Sequence, residues 1–417
     1  MPIVHITKLV AGGQGLGELE DGRKIFVWGV LADEEVDVEI TKEKKSFAEG
    51  IAVKVIKPSP ERLTPRETNY LAHSPWQIMT MAAENQAKID IVHEQFTREH
   101  LDTNAIPAQI ISEEGDGYGY RNKMEYVFAE HEDELTYALT QRASHDKIPV
   151  IVSALAMPSI NSAARDLLIE LRGLGASVRD LDSLVLRSNQ FGDVVGVLYI
   201  NHPRYKKLTL PHSFKGLQIF FHNPRNRSRR GAKLVQELGD KVLTDALLGE
   251  SFAYDGLSFF QVNVPVYERA LEHMKKFVSG PVVDMYAGVG SIGLSVASGH
   301  VTLVEQEPAS IAMAKRNAET ADADVIEAST EQSLEYITSD LTVIFDPPRA
   351  GLHARVVGRC LAVKPPQIVY LSCDPATLAR DLALLGDEYD IVDVTLYNFF
   401  PRTPHIETLV VLKRHAA

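Results

Sequence analysis

Hydrophobic and polar residues follow three different rhythms along the 417 positions of this chain. In the first 58 positions, short apolar runs alternate with glycine turns, and Asp21-Gly22 is the strongest hairpin signal among them. We expect strands over 25–28, 36–41 and 48–56, with no helical period between them. The pattern predicts a small antiparallel β-barrel over residues 1–58, which a Pro58-Ser59-Pro60 linker ends.

The middle of the chain mixes helical and strand patterns. Helical spacing runs over 78–101, and a second helix falls within 150–175. Apolar runs at 184–186 and 194–200 are typical of strands, and an aromatic and basic cluster at 117–128 (GYGYRNKMEYVF) leads into another. These patterns predict a central α+β domain.

From residue 282 the pattern changes to apolar runs that alternate with helical segments. Such alternation is typical of a doubly wound parallel sheet, in which ligands lie beyond the carboxyl ends of the strands. The last two runs are close enough to pair antiparallel. We expect an α/β, Rossmann-like domain over 258–417 and the α+β domain over 59–257. The predicted strands are 282–286, 301–306, 324–327, 341–346, 368–373, 391–398 and 406–413.

Composition and charge narrow the class of protein. The net charge is −13, so a nucleic acid could be bound only through a local basic patch. The chain has two cysteines, Cys360 and Cys373, which exclude a disulfide framework and a cluster held by four thiolates of one chain. The N-terminus does not have the pattern of a signal peptide, and the uncharged window 285–304 fits a glycine turn and a buried helix better than a membrane span. We expect a cytoplasmic protein without a membrane partner.

Cys373 follows the apolar run 368–371 and precedes Asp374 and Pro375, which by type are an N-cap and a first helical residue. The thiol is therefore expected between a strand and a helix, beside unpaired N–H groups and the positive end of the helix dipole. That position lowers the pKa of a thiol and favours the thiolate. The alternative is a small buried hydrophobic residue, the commoner role of an average cysteine.

Gly288, Gly290 and Gly293 spell G-x-G-x-x-G between a predicted strand and a predicted helix. The motif alone fits a dinucleotide. Asp284 at the strand end gives D-M-Y-A-G-V-G, a loop typical of S-adenosylmethionine sites, and Glu305 ends the next strand where a carboxylate can hold ribose hydroxyls. We favour S-adenosylmethionine because no later segment has the pattern of a nicotinamide pocket.

The fourth strand of this domain ends in Asp346-Pro347-Pro348-Arg349, and in doubly wound order Asp346 should lie beside Cys373. A thiolate beside a methyl sulfonium suits methylation of C5 of uracil, because addition at C6 turns the ring into an enolate whose C5 takes the methyl group. The C5 proton then needs a base, and His405 and Glu407 share one face of the last strand. The alternatives are a plain proline turn, an exposed strand carboxylate and a metal site, for which a third ligand is missing nearby.

A basic segment of the middle region, 223–233 (NPRNRSRRGAK), is the best candidate for phosphate contacts in an acidic protein. Solvated loop charge is an equally common explanation. The candidate RNA-binding residues are Arg225, Arg227, Arg229, Arg230 and Lys233, together with Tyr120 and Arg121 of the aromatic cluster.

Six short blocks carry a family resemblance: YRNKMEY at 120–126, FFQVN at 259–263, DMYAGVG at 284–290, DPPRAGL at 346–352, SCDPATLARDL at 372–382 and FPRTPHIETLVVL at 400–412. In this order they resemble the RNA uracil-C5 methyltransferases that use S-adenosylmethionine, especially the branch acting on 23S rRNA. The resemblance covers nearly the whole chain, and residues 1–58 look like the TRAM barrel of that family. It implies RNA binding by the barrel and the central domain, and a class I methyltransferase fold for the C-terminal domain.

The resemblance also assigns roles to single residues. It implies that Cys373 is the nucleophile and Glu407 the proton acceptor. It implies cofactor contacts from Gln261, Tyr286, Glu305 and Asp346, of which that of Gln261 has no other basis in the sequence.

Three departures from the family pattern stand out. Many members hold an iron–sulfur cluster through cysteines just after the barrel, whereas residues 67–77 here contain none, so we expect no cluster. Asp374 stands where asparagine is commoner, and we expect little change because it can still cap a helix. Asn398 replaces a frequent aspartate, an exchange for which the sequence offers no physical account.

The sequence thus predicts a monomeric enzyme that methylates C5 of a uridine in RNA, with 23S rRNA the favoured substrate. One alternative is methylation of uridine-54 of tRNA. A second, of a different class, is a non-catalytic RNA-binding or assembly factor with a degenerate site. A nicotinamide-linked oxidoreductase is the third.

Overall fold

The computed structural model describes residues 1–140, 146–203, 205–226, 229 and 231–415. Its first five strands are β1 (Ile3–Leu9), β2 (Gly15–Glu18), β3 (Lys24–Trp28), β4 (Glu35–Glu43) and β5 (Phe47–Lys57). They close into a barrel in the order β1-β2-β3-β5-β4. Alternate residues of β1 and β4 point inward, and Val4, Ile6, Val36 and Val38 are buried there. The predicted barrel is confirmed, and β1 and β2 add to the three strands that the pattern located. It is not wholly antiparallel as predicted, because β3 and β5 pair in parallel.

A helical segment links the barrel to the rest of the chain. It contains α1 (Tyr70–His73), α2 (Met81–Arg98) and a 3₁₀ helix, Thr103–Ala105. α2 begins after Thr80, whose Oγ1 accepts a hydrogen bond from the Ala83 N–H at 3.2 Å. Ile89, Val92 and Phe96 on its inner side are buried in the core of the C-terminal domain. α2 is therefore packed against that domain rather than against the barrel alone.

The central region is built on a seven-stranded sheet with one helix on its face. Its elements are β6 (Lys123–His131), β7 (Glu134–Thr140), β8 (Lys147–Val150), α3 (Pro158–Gly173), β9 (Leu181–Ser188), β10 (Val194–Ile200), β11 (Gly216–Phe221) and β12 (Lys233–Gly239). The strand order is β12-β11-β10-β9-β6-β7-β8. Leu167 and Leu171 of α3 pack with Leu184 and Leu186 of β9 in its core. A separate hairpin follows, formed by β13 (Val242–Leu247) and β14 (Glu250–Asp255).

The C-terminal domain is a doubly wound α/β sheet, as predicted. Its elements are α4 (Val264–Met274), β15 (Val282–Asp284), α5 (Ser291–Val296), β16 (Val301–Glu305), α6 (Pro308–Asn317), β17 (Ala323–Glu327), β18 (Thr342–Phe345), α7 (Ala354–Val363), β19 (Gln367–Ser372), α8 (Pro375–Leu385), β20 (Tyr389–Tyr397) and β21 (Glu407–Arg414). The strand order is β17-β16-β15-β18-β19-β21-β20. β21 runs antiparallel between β19 and β20, whereas the first five strands are parallel. Between β17 and β18 the connection holds only two 3₁₀ helices, Thr330–Gln332 and Leu334–Tyr336.

Both faces of this sheet are covered, which explains why its strands are continuous apolar runs in the sequence. Val343 and Ile368 point into the core that also receives α2, while Ile344 and Val369 point into the core on the opposite face. In the part of the chain that the structure describes, no helix is both long enough and apolar enough to cross a membrane. Because both faces are covered, the predicted site residues lie at the carboxyl ends of the strands.

Candidate active site

Four predicted site residues follow one another along the carboxyl edge of the C-terminal sheet. Asp284 ends β15 and Glu305 ends β16, while Asp346 and Cys373 come directly after β18 and β19. β18 lies between β15 and β19 in the sheet, so Asp346 is flanked by the strands of Asp284 and Cys373. The predicted proximity of Asp346 and Cys373 is therefore confirmed.

The glycine loop after β15 is held by carboxylates. Glu305 Oε2 accepts a hydrogen bond from the Gly288 N–H at 2.8 Å, and Asp284 Oδ2 accepts one from the Gly293 N–H at 3.0 Å. Gly288 and Gly290 have positive φ angles of 56° and 85°, which favour glycine. A Cβ on Gly290 would lie 2.8 Å from Leu303 Cδ1, so the loop also lies close against β16. The motif thus forms a tight turn that a larger side chain would distort.

Unsatisfied polar groups beside this loop fit S-adenosylmethionine. Asp284 Oδ1 is buried without a hydrogen-bond partner, and burial raises the pKa of this carboxyl to about 7. A buried carboxylate oxygen of this kind is suited to the ammonium group of an amino-acid cofactor. Tyr286, Glu305 and Pro348 line an adjoining cavity of about 100 Å³. The residues present therefore match the cofactor that the sequence pattern favoured.

Gln261 joins this edge from the segment before α4. Its Nε2 donates to Asp346 Oδ2 at 3.3 Å, and its backbone carbonyl accepts from Asn122 Nδ2 at 2.9 Å. Burial, and then the neighbouring Asp284, raise the pKa of Asp346 to about 7. Gln261 thus contacts Asp346 at the acidic edge of the site, and its contact with the cofactor stays a prediction.

Cys373 and Glu407 meet where β19 ends and β21 begins. Ser372 pairs with Thr408 in the antiparallel ladder, and Cys373 and Glu407 are the next residues on the two strands. Cys373 is half-buried, and Glu407 is only 2% exposed, with its Oε2 lacking a hydrogen-bond partner. Burial, and then Asp346, raise the pKa of Glu407 well above the usual range. The Cys373 thiol and the Glu407 carboxyl group therefore lie next to each other and are largely shielded from water.

The predicted lowering of the Cys373 pKa is wrong. Burial, and then Glu407 and Asp346, raise the pKa of this thiol to about 12. The first N–H groups of α8 do not compensate, because Asp374 Oδ1 accepts from the Ala376 and Thr377 N–H groups at 3.1 and 3.0 Å. The predicted N-cap, Asp374, is present. Its carboxylate binds the same N–H groups that were expected to stabilise the Cys373 thiolate.

Arg349 directly follows the Asp346-Pro347-Pro348 turn, and in the structure it places a positive charge near Cys373 and Glu407. Its Nη2 lies 3.2 Å from His405 Nε2, and its charge acts to lower the pKa of both Cys373 and Glu407. Burial and the carboxylates outweigh this effect in the free protein. Arg349 nevertheless brings a positive charge to the place where a thiolate has to form.

Comparisons with known proteins indicate the family to which this chain belongs. Family models described as tRNA (Uracil-5-)-methyltransferase, TRAM domain and Methyltransferase small domain match residues 333–415, 4–53 and 268–361. A protein of Lactobacillus johnsonii described as an uncharacterized RNA methyltransferase is 31% identical over 99% of this chain and 98% of its own length. The chain belongs to the RNA (uracil-C5)-methyltransferase family. A protein of Fusobacterium nucleatum with the same description is 26% identical over 99% of this chain and 95% of its own.

A solved structure shows the same fold over the whole methyltransferase. It is the Pyrococcus abyssi tRNA (uracil-54, C5)-methyltransferase in complex with S-adenosyl-L-homocysteine, with a TM-score of 0.77 and 23% identity. The match covers 98% of this chain and 100% of the other. The solved structure thus shows the fold. The family models and the Lactobacillus johnsonii relative make this chain an S-adenosylmethionine-dependent RNA (uracil-C5)-methyltransferase with an N-terminal TRAM barrel.

The basic segment of the methyltransferase is only partly described. Arg227 and Arg230 lie outside the described residues, and Arg225 and Lys233 are exposed. Arg229 Nη1 donates to Glu125 Oε1 at 2.7 Å and Nε donates to Asp182 Oδ2 at 3.2 Å. Its guanidinium carbon lies 4.7 Å from the centre of the Tyr199 ring. Arg229 thus holds the segment against the central sheet, and its contact with RNA stays a prediction.

The other two candidate RNA contacts also have partners within the protein. The Tyr120 hydroxyl donates to the Pro401 carbonyl at 3.1 Å, and Arg121 Nε donates to the Lys123 carbonyl at 3.0 Å. Tyr120 therefore contacts the loop that leads to Glu407. An RNA contact from either residue stays a prediction.

Polar contacts organise residues 67–77, the segment in which many family members carry cluster cysteines. Glu67 Oε1 accepts from the Ala154 N–H at 2.9 Å, and its Oε2 accepts from Gln77 Nε2 at 2.7 Å and lies 3.2 Å from His73 Nε2. Trp76 Nε1 donates to the Gly13 carbonyl of the barrel at 3.1 Å. Among the residues that the structure describes, no group of three His, Cys, Asp or Glu side chains is placed to hold a metal ion.

Proposed function

We propose that this methyltransferase methylates C5 of a uridine in 23S rRNA, with Cys373 as nucleophile and Glu407 as the base. The observation that carries the proposal is the meeting of these two side chains at the end of the β19–β21 ladder, beside Asp346. A nucleophile and a base on one side of a planar ring are what methylation of an unactivated C5 requires. Cys360, the other cysteine, is fully buried in the core and has a packing role.

The residues would act in three steps. Cys373 gives its proton to water, and its thiolate bonds to C6 while the C5–C6 electron pair moves into an enolate. Bound S-adenosylmethionine supplies the methyl group that C5 then takes. Glu407 removes the C5 proton, the C5–C6 double bond re-forms, and the C6–S bond breaks to release the thiolate. Glu407 must be ionised for this last step. Because its surroundings raise its pKa, the ionised carboxylate is a stronger base than an ordinary glutamate.

The cofactor would be held by the glycine loop and the carboxylates around it. We assign Gly288 and Gly290 to close backbone approach, and Asp284 to the ammonium group. Glu305 and Tyr286 line the cavity suited to the adenosine part. Gln261 and Asp346 complete this set beside Cys373.

Substrate binding is assigned to the other two domains. We propose that residues 1–58 and 59–257 bind structured RNA, while 258–417 perform the chemistry in the cytoplasm as a monomer. The target uridine must leave its stack to reach Cys373. Support for 23S rRNA comes from the sequence blocks that resemble that branch. The TRAM domain supports RNA binding in general.

Transfer RNA is the second candidate, because the Pyrococcus abyssi protein of the same fold acts on uridine-54 of tRNA. Mapping 5-methyluridine at nucleotide resolution in rRNA and tRNA, with and without this gene, separates the two. We expect one 23S rRNA position to lose its methyl group and to regain it with the unsubstituted gene but not with Cys373→Ala. Loss in tRNA alone would replace the first proposal by the second.

A further inference from the structure

A buried ion pair on α2 contacts the loop that precedes Glu407, residues 398–406 between β20 and β21. Glu84 and Lys88 are both 0% exposed, and Lys88 Nζ donates to Glu84 Oε1 at 2.8 Å. They are four residues apart and so share one helical face. Because a buried charge is costly unless it is paired and hydrogen-bonded, the other contacts of this pair are informative.

Both members of the pair hold the backbone of the loop. The two Glu84 oxygens accept from the Arg402 N–H at 3.0 and 2.9 Å. Lys88 Nζ donates to the Phe400 carbonyl at 3.2 Å. The loop is thus fixed at two backbone positions by side chains of a helix that lies more than 300 residues earlier in the chain.

Asn398 completes the network and gives a physical account of its departure from the family pattern. Its Oδ1 accepts from Lys88 Nζ at 2.6 Å, and its Nδ2 donates to Glu84 Oε1 and to Asn85 Oδ1, both at 3.0 Å. An amide can accept from the ammonium and donate to the carboxylate at once, whereas an ionised aspartate can only accept. With Glu84 supplying the negative charge, a neutral residue is suited to position 398.

The anchored loop has a backbone that requires such support. Arg402 has a φ of 65°, a left-handed conformation that non-glycine residues rarely adopt. Beyond it, Thr403 Oγ1 donates to the Phe400 carbonyl at 2.8 Å and accepts from the His405 N–H at 3.3 Å. A continuous set of hydrogen bonds therefore leads from Glu84 to within two residues of Glu407.

We propose that Glu84 is a positioning residue, which with Lys88 fixes the loop so that the Glu407 carboxylate meets the C5 proton. The inference rests on the role proposed above for Glu407. A misplacement of about 1 Å can lower a catalytic rate about 100-fold. Cys373 lies between β19 and α8, outside this network, so a displaced loop should slow proton removal and spare thiolate addition.

The test separates these two steps in the full-length protein. Total RNA from cells without this gene is mixed with S-adenosylmethionine carrying a radioactive methyl group, and label is counted in free RNA and in a complex that survives SDS. In Glu84→Gln we expect product release to fall about 100-fold while the methylated complex accumulates, as in Glu407→Gln. Glu84→Asp keeps the buried charge but withdraws the carboxylate from the Arg402 N–H, and we expect the same accumulation in a stably folded protein.

Phe96→Leu is the matched control, because Phe96 is a buried residue of α2 that takes no part in the hydrogen bonds described above. It should lower thermal stability without any accumulation of the complex. Positioning is overturned if Glu84→Gln and Glu84→Asp release product like Phe96→Leu, or if complex and product fall together. If Glu407→Gln itself releases product normally, the proposed base is wrong and this inference fails with it.

Discussion

Cys373 and Glu407 stand opposite each other, one position beyond the Ser372–Thr408 pair that ends the β19–β21 ladder. Burial, and then Glu407, raise the pKa of the Cys373 thiol, so the free protein holds the nucleophile protonated. The carboxylate that opposes formation of the thiolate is also the base that we assign to the last step. The two groups therefore have to be tested together.

The pH dependence of adduct formation follows from the raised thiol pKa. Because the pKa of Cys373 is raised to about 12, the thiolate fraction rises about tenfold per pH unit throughout the neutral range. The rate of adduct formation with RNA containing 5-fluorouridine should thus rise continuously from pH 6 to 9, as measured by denaturing gels under single-turnover conditions. A plateau near pH 7 would show a thiol of low pKa instead.

Replacing Glu407 by glutamine should slow removal of the C5 proton without slowing adduct formation. It removes the proposed base and one of the charges that raise the pKa of Cys373, so adduct formation should be as fast as before or faster. Release of tritium from RNA labelled at C5 should fall about 10²- to 10⁴-fold, the usual contribution of a general base. Unchanged tritium release would exclude Glu407 from this role.

Arg349→Gln should slow the first step. Arg349 acts to lower the pKa of Cys373, so its loss should raise that pKa further and shift the rate profile of adduct formation to higher pH. We expect a decrease of about tenfold at pH 7.5, the effect of one pKa unit. Arg355→Gln, an exposed arginine at the start of α7, is the control. Equal behaviour of the two variants would show that the charge of Arg349 is not used.

Asp374 offers a test of stability beside the nucleophile. Its Oδ1 accepts from two N–H groups of α8, and an N-cap of this kind contributes about 1 kcal/mol to the free energy of unfolding. Urea unfolding should show that loss for Asp374→Ala and almost none for Asp374→Asn, which keeps the accepting oxygen. A loss as large in the asparagine variant would mean that the charge, rather than the cap, stabilises the helix.

Much of the fold could be predicted because its signals are local. The barrel, the helix of 81–98 and the strands that carry Asp284, Glu305, Asp346 and Cys373 follow from apolar runs, glycine turns and capping residues. The order of the strands then brings the site residues to one edge. These steps need no knowledge of which side chains touch across the chain.

The electrostatics of the site could not be predicted in the same way. The position of the Cys373 thiol was correct and the direction of its pKa shift was wrong, because burial and the carboxylates of Glu407 and Asp346 arrive from distant segments. The network of Glu84, Lys88 and Asn398 is equally long-range, and only the helical spacing of the first two is visible in the sequence. Contacts of this kind depend on the folded chain.

The most direct test of the proposed mechanism is the identity of the covalent link to RNA. A fluorine at C5 cannot leave as a proton, so 5-fluorouridine should hold the enzyme in the adduct that S-adenosylmethionine completes. Mass spectrometry of the digested complex should place the nucleotide on Cys373, with full adduct formation in Cys360→Ala and none in Cys373→Ala. Adduct formation at the unsubstituted rate by Cys373→Ala, or a nucleotide attached to any other residue, would contradict the mechanism.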